Sequence, residues 1–166
     1  MFQIGDLVVH PMHGAGVIDD VIHEKVAGTT KEYYVFKMPM GGLVLKIPTA
    51  NCQAIGIRSL ISPTEAEAFF AGIPTLEVES SANWTKRYQE NLVRLKSGNL
   101  NEVARVVKGL MRRESRRGLS TGERKMLLNA KQIIISEISL VEGCDYQDAE
   151  ARLDHAVMQK PPVGCS

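Results

Sequence analysis

The first 58 residues alternate apolar and polar positions in short runs broken by turn residues. IGDLVVHP closes at Pro11, and HGAGVIDDVIHEKV leaves a glycine-rich turn into β-branched residues. KEYYVFKM is aromatic and β-branched. PMGGLVLKIP enters through Gly41-Gly42 and stops at Pro48, and CQAIGIR reads as a last short strand. Turn signals this closely spaced predict a small barrel or curled sheet. Lys46 interrupts LVLKI and is expected to face solvent on an edge strand.

From residue 62 the period changes to that of helices. Ser62, Pro63 and Glu65 form a capping signature, and AGIPTLEVESSA reads as a linker. A helix then opens at Ser-Ser-Ala-Asn with Tyr88, Leu92 and Leu95 on one face, ending at Ser97-Gly98. The next is capped by Asn99 and Glu102, carries Leu100, Val103, Val107 and Leu110, and stops at Gly118. The longest opens with a Ser120–Glu123 capping box and aligns Leu127, Ala130, Ile134, Ile138 and Val141. DYQDAEARLDHAVM is a short acidic helix, followed by a frayed tail. Strands first and helices after predict an α+β chain of two domains. A small Tudor-like or SH3-like β-barrel over 1–60 is followed by an all-helical bundle over 61–160, with a flexible tail at 161–166.

Charge sharpens this picture. The chain has 166 residues and a net charge of only +1. Residues 83–131, however, hold 13 basic and 4 acidic side chains, and both flanking segments are net acidic. Such a block is either a set of solvated helix faces or a surface for a polyanion. No run approaches the ~20 apolar residues of a membrane span, and no signal peptide is read at the N-terminus. The three scattered cysteines, Cys52, Cys144 and Cys165, argue against a disulfide framework and for a reducing cytoplasm.

Motifs for catalysis or cofactors do not assemble. His10 and His13 in HPMH lack a second ligand pair for zinc. HGAGVI lacks the third glycine of a dinucleotide fingerprint. GLSTGERK has the wrong glycine spacing and no preceding strand for a phosphate loop. The chain is expected to be neither an enzyme nor a metal or cofactor carrier.

What remains is cationic. Arg105, Lys108, Arg112 and Arg116 fall at steps of three and four, a row expected on the side of their helix away from its apolar stripe, flanked by Arg113 and Arg117. Arg124 and Lys125 lie in the first turn of the longest helix, against its dipole, which an approaching phosphate would relieve. Trp84, the only tryptophan, stands at a helix entrance directly before Thr85, Lys86 and Arg87. It is either packed against neighbouring helices or an exposed ring that can wedge into a minor groove or stack on an unpaired base. Its place outside the apolar stripe moves the reading toward exposure.

The stretches GDLVVHPMHGAGVI, KEYYVFK, LVLKIP, NWTKRYQENLVRLKSGN, VARVVKGLMRRE and GLSTGERKMLLNAKQIIISEI, taken in order, resemble the CarD/CdnL family of bacterial transcription regulators. Its first module is shared with the polymerase-interacting domain of transcription-repair coupling factors. The resemblance implies a Tudor-like module that docks on the RNA polymerase β subunit along an exposed strand edge. The equivalent positions here lie in GGLVLKIP and IHEKV: Glu24, Val26, Val44, Lys46 and Pro48. It also implies a helical module at the upstream edge of the melted promoter. There Trp84 aligns with the family's wedge, Asn83 with a polar neighbour, and Lys86, Arg87, Arg124 and Lys125 with backbone contacts. The expected setting is cytoplasmic and nucleoid-associated, with a monomer when free. Glu24 and Lys46 stand where some relatives carry arginine, and Gln89 where some carry lysine. The rival readings are a sequence-specific helix-turn-helix repressor and a protein-interaction adaptor.

Overall fold

Thirteen residues, Gly14–Val26, form the long strand β2, which pairs antiparallel with β3 (Thr29–Lys37). Ala27 and Gly28 join them with φ of 53° and 80°. Positive φ at both central residues gives the turn whose twist suits a hairpin. The register slips between Ile18 and Asp20, a bulge that adds twist. β1 (Leu7–His10), β4 (Val44–Pro48) and β5 (Arg58–Ser59) complete a five-stranded antiparallel sheet in the order β4-β3-β2-β1-β5. The structure, a computed structural model, describes residues 1–39, 41–78 and 82–159. The expected tail with Cys165 and the linker positions 79–81 lie outside them.

The inner face of the sheet buries Val8, Ile18, Tyr34, Phe36 and Ile47, closed by Met38, Cys52 and Ile57. Gly16 lets this face close: a Cβ there would lie 2.5 Å from the Lys37 carbonyl oxygen and 2.8 Å from the Phe36 ring. The stretch expected as a strand at CQAIGIR is mostly a helical turn, α1 (Cys52–Ile55). Gly56, at φ 95°, caps it by donating to the carbonyls of Cys52 and Gln53, so only Arg58 and Ser59 remain for the sheet.

Five longer helices follow: α2 (Pro63–Gly72), α3 (Trp84–Lys96), α4 (Leu100–Arg117), α5 (Thr121–Glu142) and α6 (Tyr146–Met158). The caps are those the sequence announces. Ser62 and Glu65 form the reciprocal box on α2, Asn83 accepts from the Lys86 N–H, and Asn99 accepts from Asn101 and Glu102. Ser120 accepts from the Glu123 N–H. Between α2 and α3 the expected linker contains a 3₁₀ turn, Ile73–Thr75, whose Ile73 and Pro74 are buried.

α5 is the central element. Leu127, Ala130, Ile134 and Ile138 are buried as expected, and so are Ile133, Ile135, Ser136 and Glu137. A helix buried all round must be covered on several sides. α4, α6 and α2 cover it within the bundle, and β2 covers it from the sheet. At that junction a Cβ on Gly14 (φ 111°) would meet Ser136 Oγ at 2.3 Å and the Ile133 backbone at 3.3 Å, so only glycine lets strand and helix approach. Ser136 Oγ accepts the Ala15 N–H at 2.9 Å. Arg58 grips the fully buried Glu137 through two bonds of 2.8 and 2.7 Å, and Glu137 also accepts the Ile61 N–H.

His10 and His13 sit at the turn beside this junction with ring centroids 4.6 Å apart. Burial, then the neighbouring His13, pushes His10 down to about 4, and His10 Nδ1 accepts the Met12 N–H. A histidine whose folded pKa is depressed stays neutral while the unfolded chain takes up a proton. Its contribution is therefore complete above about pH 6.5 and is lost as the pH falls toward 4. Thermal midpoints measured from pH 7 to 4.5 should fall less steeply for His10→Asn, which keeps an acceptor and cannot be protonated. Equal slopes would refute this assignment.

Candidate nucleic-acid interface

α3 begins at Asn83, so Trp84 occupies its first position and the ring projects from the helix mouth. Trp84 is 47% exposed. It is held all the same. Its ring stacks on Tyr88, one turn on, with centroids 5.3 Å apart and planes 22° apart. Its Nε1 donates to Ser120 Oγ at 3.3 Å. Ser120 also caps α5 and donates to Glu123, so the indole is tied to the start of the central helix. Lys86, Arg124 and Lys125 are exposed, the last two in the first turn of α5. Tyr88, Leu92, Leu95, Lys125 and Met126 line an open groove of about 350 Å³ between α3 and α5, with Met12 at its edge.

Two residues placed on this surface by the sequence reading are elsewhere. Arg87 is 2% exposed and its Nε donates to Glu123 at 3.1 Å. The inward stripe of α3 is Arg87, Asn91 and Leu95, with Tyr88 and Leu92 only half-buried. Arg87 therefore supports the indole's mount from behind and is not part of the exposed cationic surface. Burial raises the Glu123 carboxyl, but the hydrogen bond and charge of Arg87, together with Ser120, bring it below its ordinary value. Reciprocal capping gives way to this pairing: Glu123 turns to Arg87, not to the backbone of its cap.

Lys108 is the second correction. It is 1% exposed, and its Nζ donates to the carbonyls of Ile73, Pro74 and Leu76 at 2.8, 3.0 and 2.9 Å. The Ile73 carbonyl also accepts the Leu76 N–H that closes the 3₁₀ turn, and the lysine gathers all three carbonyls around one ammonium. The expected row is thus broken. Arg105 lies half-buried beside Glu102, while Arg112 and Arg116 are exposed farther along α4. The row fails because Ala104, Val106 and Val107 are all buried: α4 is covered on more than one face, which a single apolar stripe does not reveal.

The sheet carries the other set. The pairs Lys46–Val35, Pro48–Tyr33 and Val44–Lys37 across β4 and β3, continued by Val35–Asp20 and Tyr33–Ile22, place alternate residues of three strands on one outer face. Glu24, Val26, Val44, Lys46 and Pro48 all fall on it, with Val44 54% exposed. β4 is an edge strand. Lys46 Nζ donates to Glu24 at 2.5 Å across β3. Glu24 and Lys46 thus neutralise each other within the chain.

Among the described residues no three metal-binding side chains cluster, and no helix is long and apolar enough to cross a membrane. Residues 2–61 match the family model of the CarD-like/TRCF RID domain, and residues 70–154 match that of the CarD C-terminal domain. The chain is similar to YdeB of Bacillus subtilis (strain 168), a transcription-factor candidate, with 34% identity over 143 residues covering 86% of this chain and 94% of that protein. The NMR structure of the 72-residue N-terminal domain of Myxococcus xanthus CarD is 27% identical, matching 36% of this chain and 79% of that one with a TM-score of 0.32. The two domain matches in order, with a relative aligned over nearly its whole length, show that the chain belongs to the CarD family of transcription factors.

Proposed function

We propose that residues 1–60 hold the protein to the RNA polymerase β subunit while residues 61–160 steady the opened promoter at the upstream edge of the bubble. The observation that carries the reading is Trp84: half exposed, held by Tyr88 and Ser120, and flanked by Lys86, Arg124 and Lys125. A ring already fixed in place gives up little freedom when a base or a distorted minor groove meets it. The edge strand β4 and the outer face with Glu24, Val26, Val44, Lys46 and Pro48 suit strand addition by the polymerase. Asn83 acts through its cap, which sets the direction of the ring. Arg105 and Arg112 are available to more distant phosphates, which position DNA without reading sequence.

Binding favours the open state only by the difference in affinity between open and closed DNA. Stacking on an unpaired base contributes roughly 1–3 kcal/mol. Trp84→Ala should therefore leave polymerase binding unchanged and shorten open-complex lifetime by about tenfold. Competitor-challenged lifetimes with the bacterial polymerase measure this directly, and a variant as effective as the parent would refute the indole's role. The same ring reports its own engagement, because it is the only tryptophan: its emission should change when forked promoter DNA binds.

A further inference from the structure

Toward its C-terminus, α4 carries Arg112, Arg113, Arg116 and Arg117 at spacings that bring like charges together on adjacent turns. They surround a concavity of about 320 Å³ floored by Gly109 and walled by Val78. A Cβ there would come within 2.8 Å of Val78 Cγ1 and displace that side chain. Arg113 lies 3.9 Å from Glu123, a carboxylate already held by Arg87. Arg112, Arg116 and Arg117 have no acidic partner among the described residues. The buried ammonium of Lys108 lies close enough for Arg112 to depress its pKa, after the larger effect of burial.

Basic residues at a helix C-terminus are ordinarily accounted for by the helix dipole. That account needs one or two solvated cations. It does not need four guanidinium groups around one hollow, of which only Arg113 has an acidic neighbour among the described residues. Guanidinium forks match phosphate oxygens in pairs. Through Arg113, Glu123 and Ser120, the hollow is linked contact by contact to Trp84.

We infer that the hollow ringed by Arg112, Arg113, Arg116 and Arg117 is a phosphate-binding site separate from the Trp84 surface. A phosphate could come from the backbone of duplex DNA upstream of the bubble or from a free phosphorylated small molecule. The first source rests on the promoter-binding reading and the second does not.

The test compares the full chain with Arg112→Ala/Arg116→Ala, both exposed positions that the fold does not use, and with Trp84→Ala. Anisotropy on a fluorescent linear duplex is titrated over salt, and thermal midpoints are read with sodium tripolyphosphate. If the duplex is the source, the double variant binds it about tenfold more weakly at low salt. The slope of log K against log salt then falls in magnitude by about 1 for each phosphate lost. Trp84→Ala keeps the parental slope. If a free phosphate is the source, tripolyphosphate raises the midpoint of the parent but not of the double variant, and the duplex slopes coincide. An unchanged slope together with an unchanged midpoint overturns the site. Loss of open-complex stabilisation in Trp84→Ala with both of these readouts intact would leave the hollow standing, so the two readings fail separately.

Discussion

Glu137→Ala should be among the most destabilising single substitutions in this chain, lowering stability by about 3–5 kcal/mol. The carboxylate is fully buried and accepts three bonds, two from Arg58 and one from the Ile61 N–H. Alanine leaves a largely enclosed guanidinium and a backbone donor without their partner, the situation in which removing half of a buried pair costs more than the pair itself contributes. Domain stabilities are commonly about 5–15 kcal/mol, so the loss is a large share of the whole. Arg58 keeps its bonds to the carbonyls of Gly98 and Ser59, which limits the damage on the bundle side. The effect should therefore concentrate at the junction, with amide exchange at Ala15 and Ser59 accelerating before that in the α4–α6 core. Urea denaturation of the parent, Glu137→Ala and Glu137→Gln gives the comparison, with the glutamine variant intermediate because it retains an acceptor. A shift below about 1 kcal/mol for the alanine variant would show that sheet and bundle do not depend on this pair.

Glu123→Ala should have a comparable cost, about 3–5 kcal/mol, and a different signature. It strips the principal acidic partner from Arg87, which is almost wholly buried, and removes the group that accepts from Ser120 Oγ–H. Ser120 also receives the indole N–H, so the loss is transmitted to Trp84. The emission of the single tryptophan should shift even in conditions where the variant remains folded. Acid should reproduce part of this in the parent. The folded carboxyl lies below its ordinary value of 4.5, so the stabilisation is complete above that value and is lost as the pH falls through the lower, folded pKa. Emission and stability followed together down to pH 3 check it. A Glu123→Ala protein with parental emission would separate the indole from this network.

Helix starts were legible because each has a chemical announcement: Ser62 with Glu65, Asn83, Asn99 and Ser120 all cap where the sequence places them. The exposure of Trp84 was legible for a related reason, since at the first position of α3 no preceding helical turn covers the ring. The errors at Arg87 and Lys108 share one cause. Periodicity of apolar residues locates a buried stripe only when the stripe is apolar, and here Arg87, Asn91 and Lys108 occupy inward positions. Their partners are separated by 36 positions for Arg87 and Glu123, and by 32 to 35 for Lys108 and its carbonyls, so nothing local announces them. Glu137 left a readable trace, a carboxylate inside the apolar run QIIISEIS, but Arg58, 79 positions away, did not. The pairing of Lys46 with Glu24 likewise depends on the register of β4 against β3, which alternation alone does not fix.

The 22 residues of α5 span about 33 Å at the usual helical rise. One end carries the serine on which the indole rests, and the body of the helix is seated against Gly14 and Ala15 of the sheet. One continuous rod thus sets the separation between the sheet's footing and the ring. Under the proposed function, an anchored sheet would leave the ring little space to sweep, and reach, not base sequence, would decide which stretch of DNA it meets.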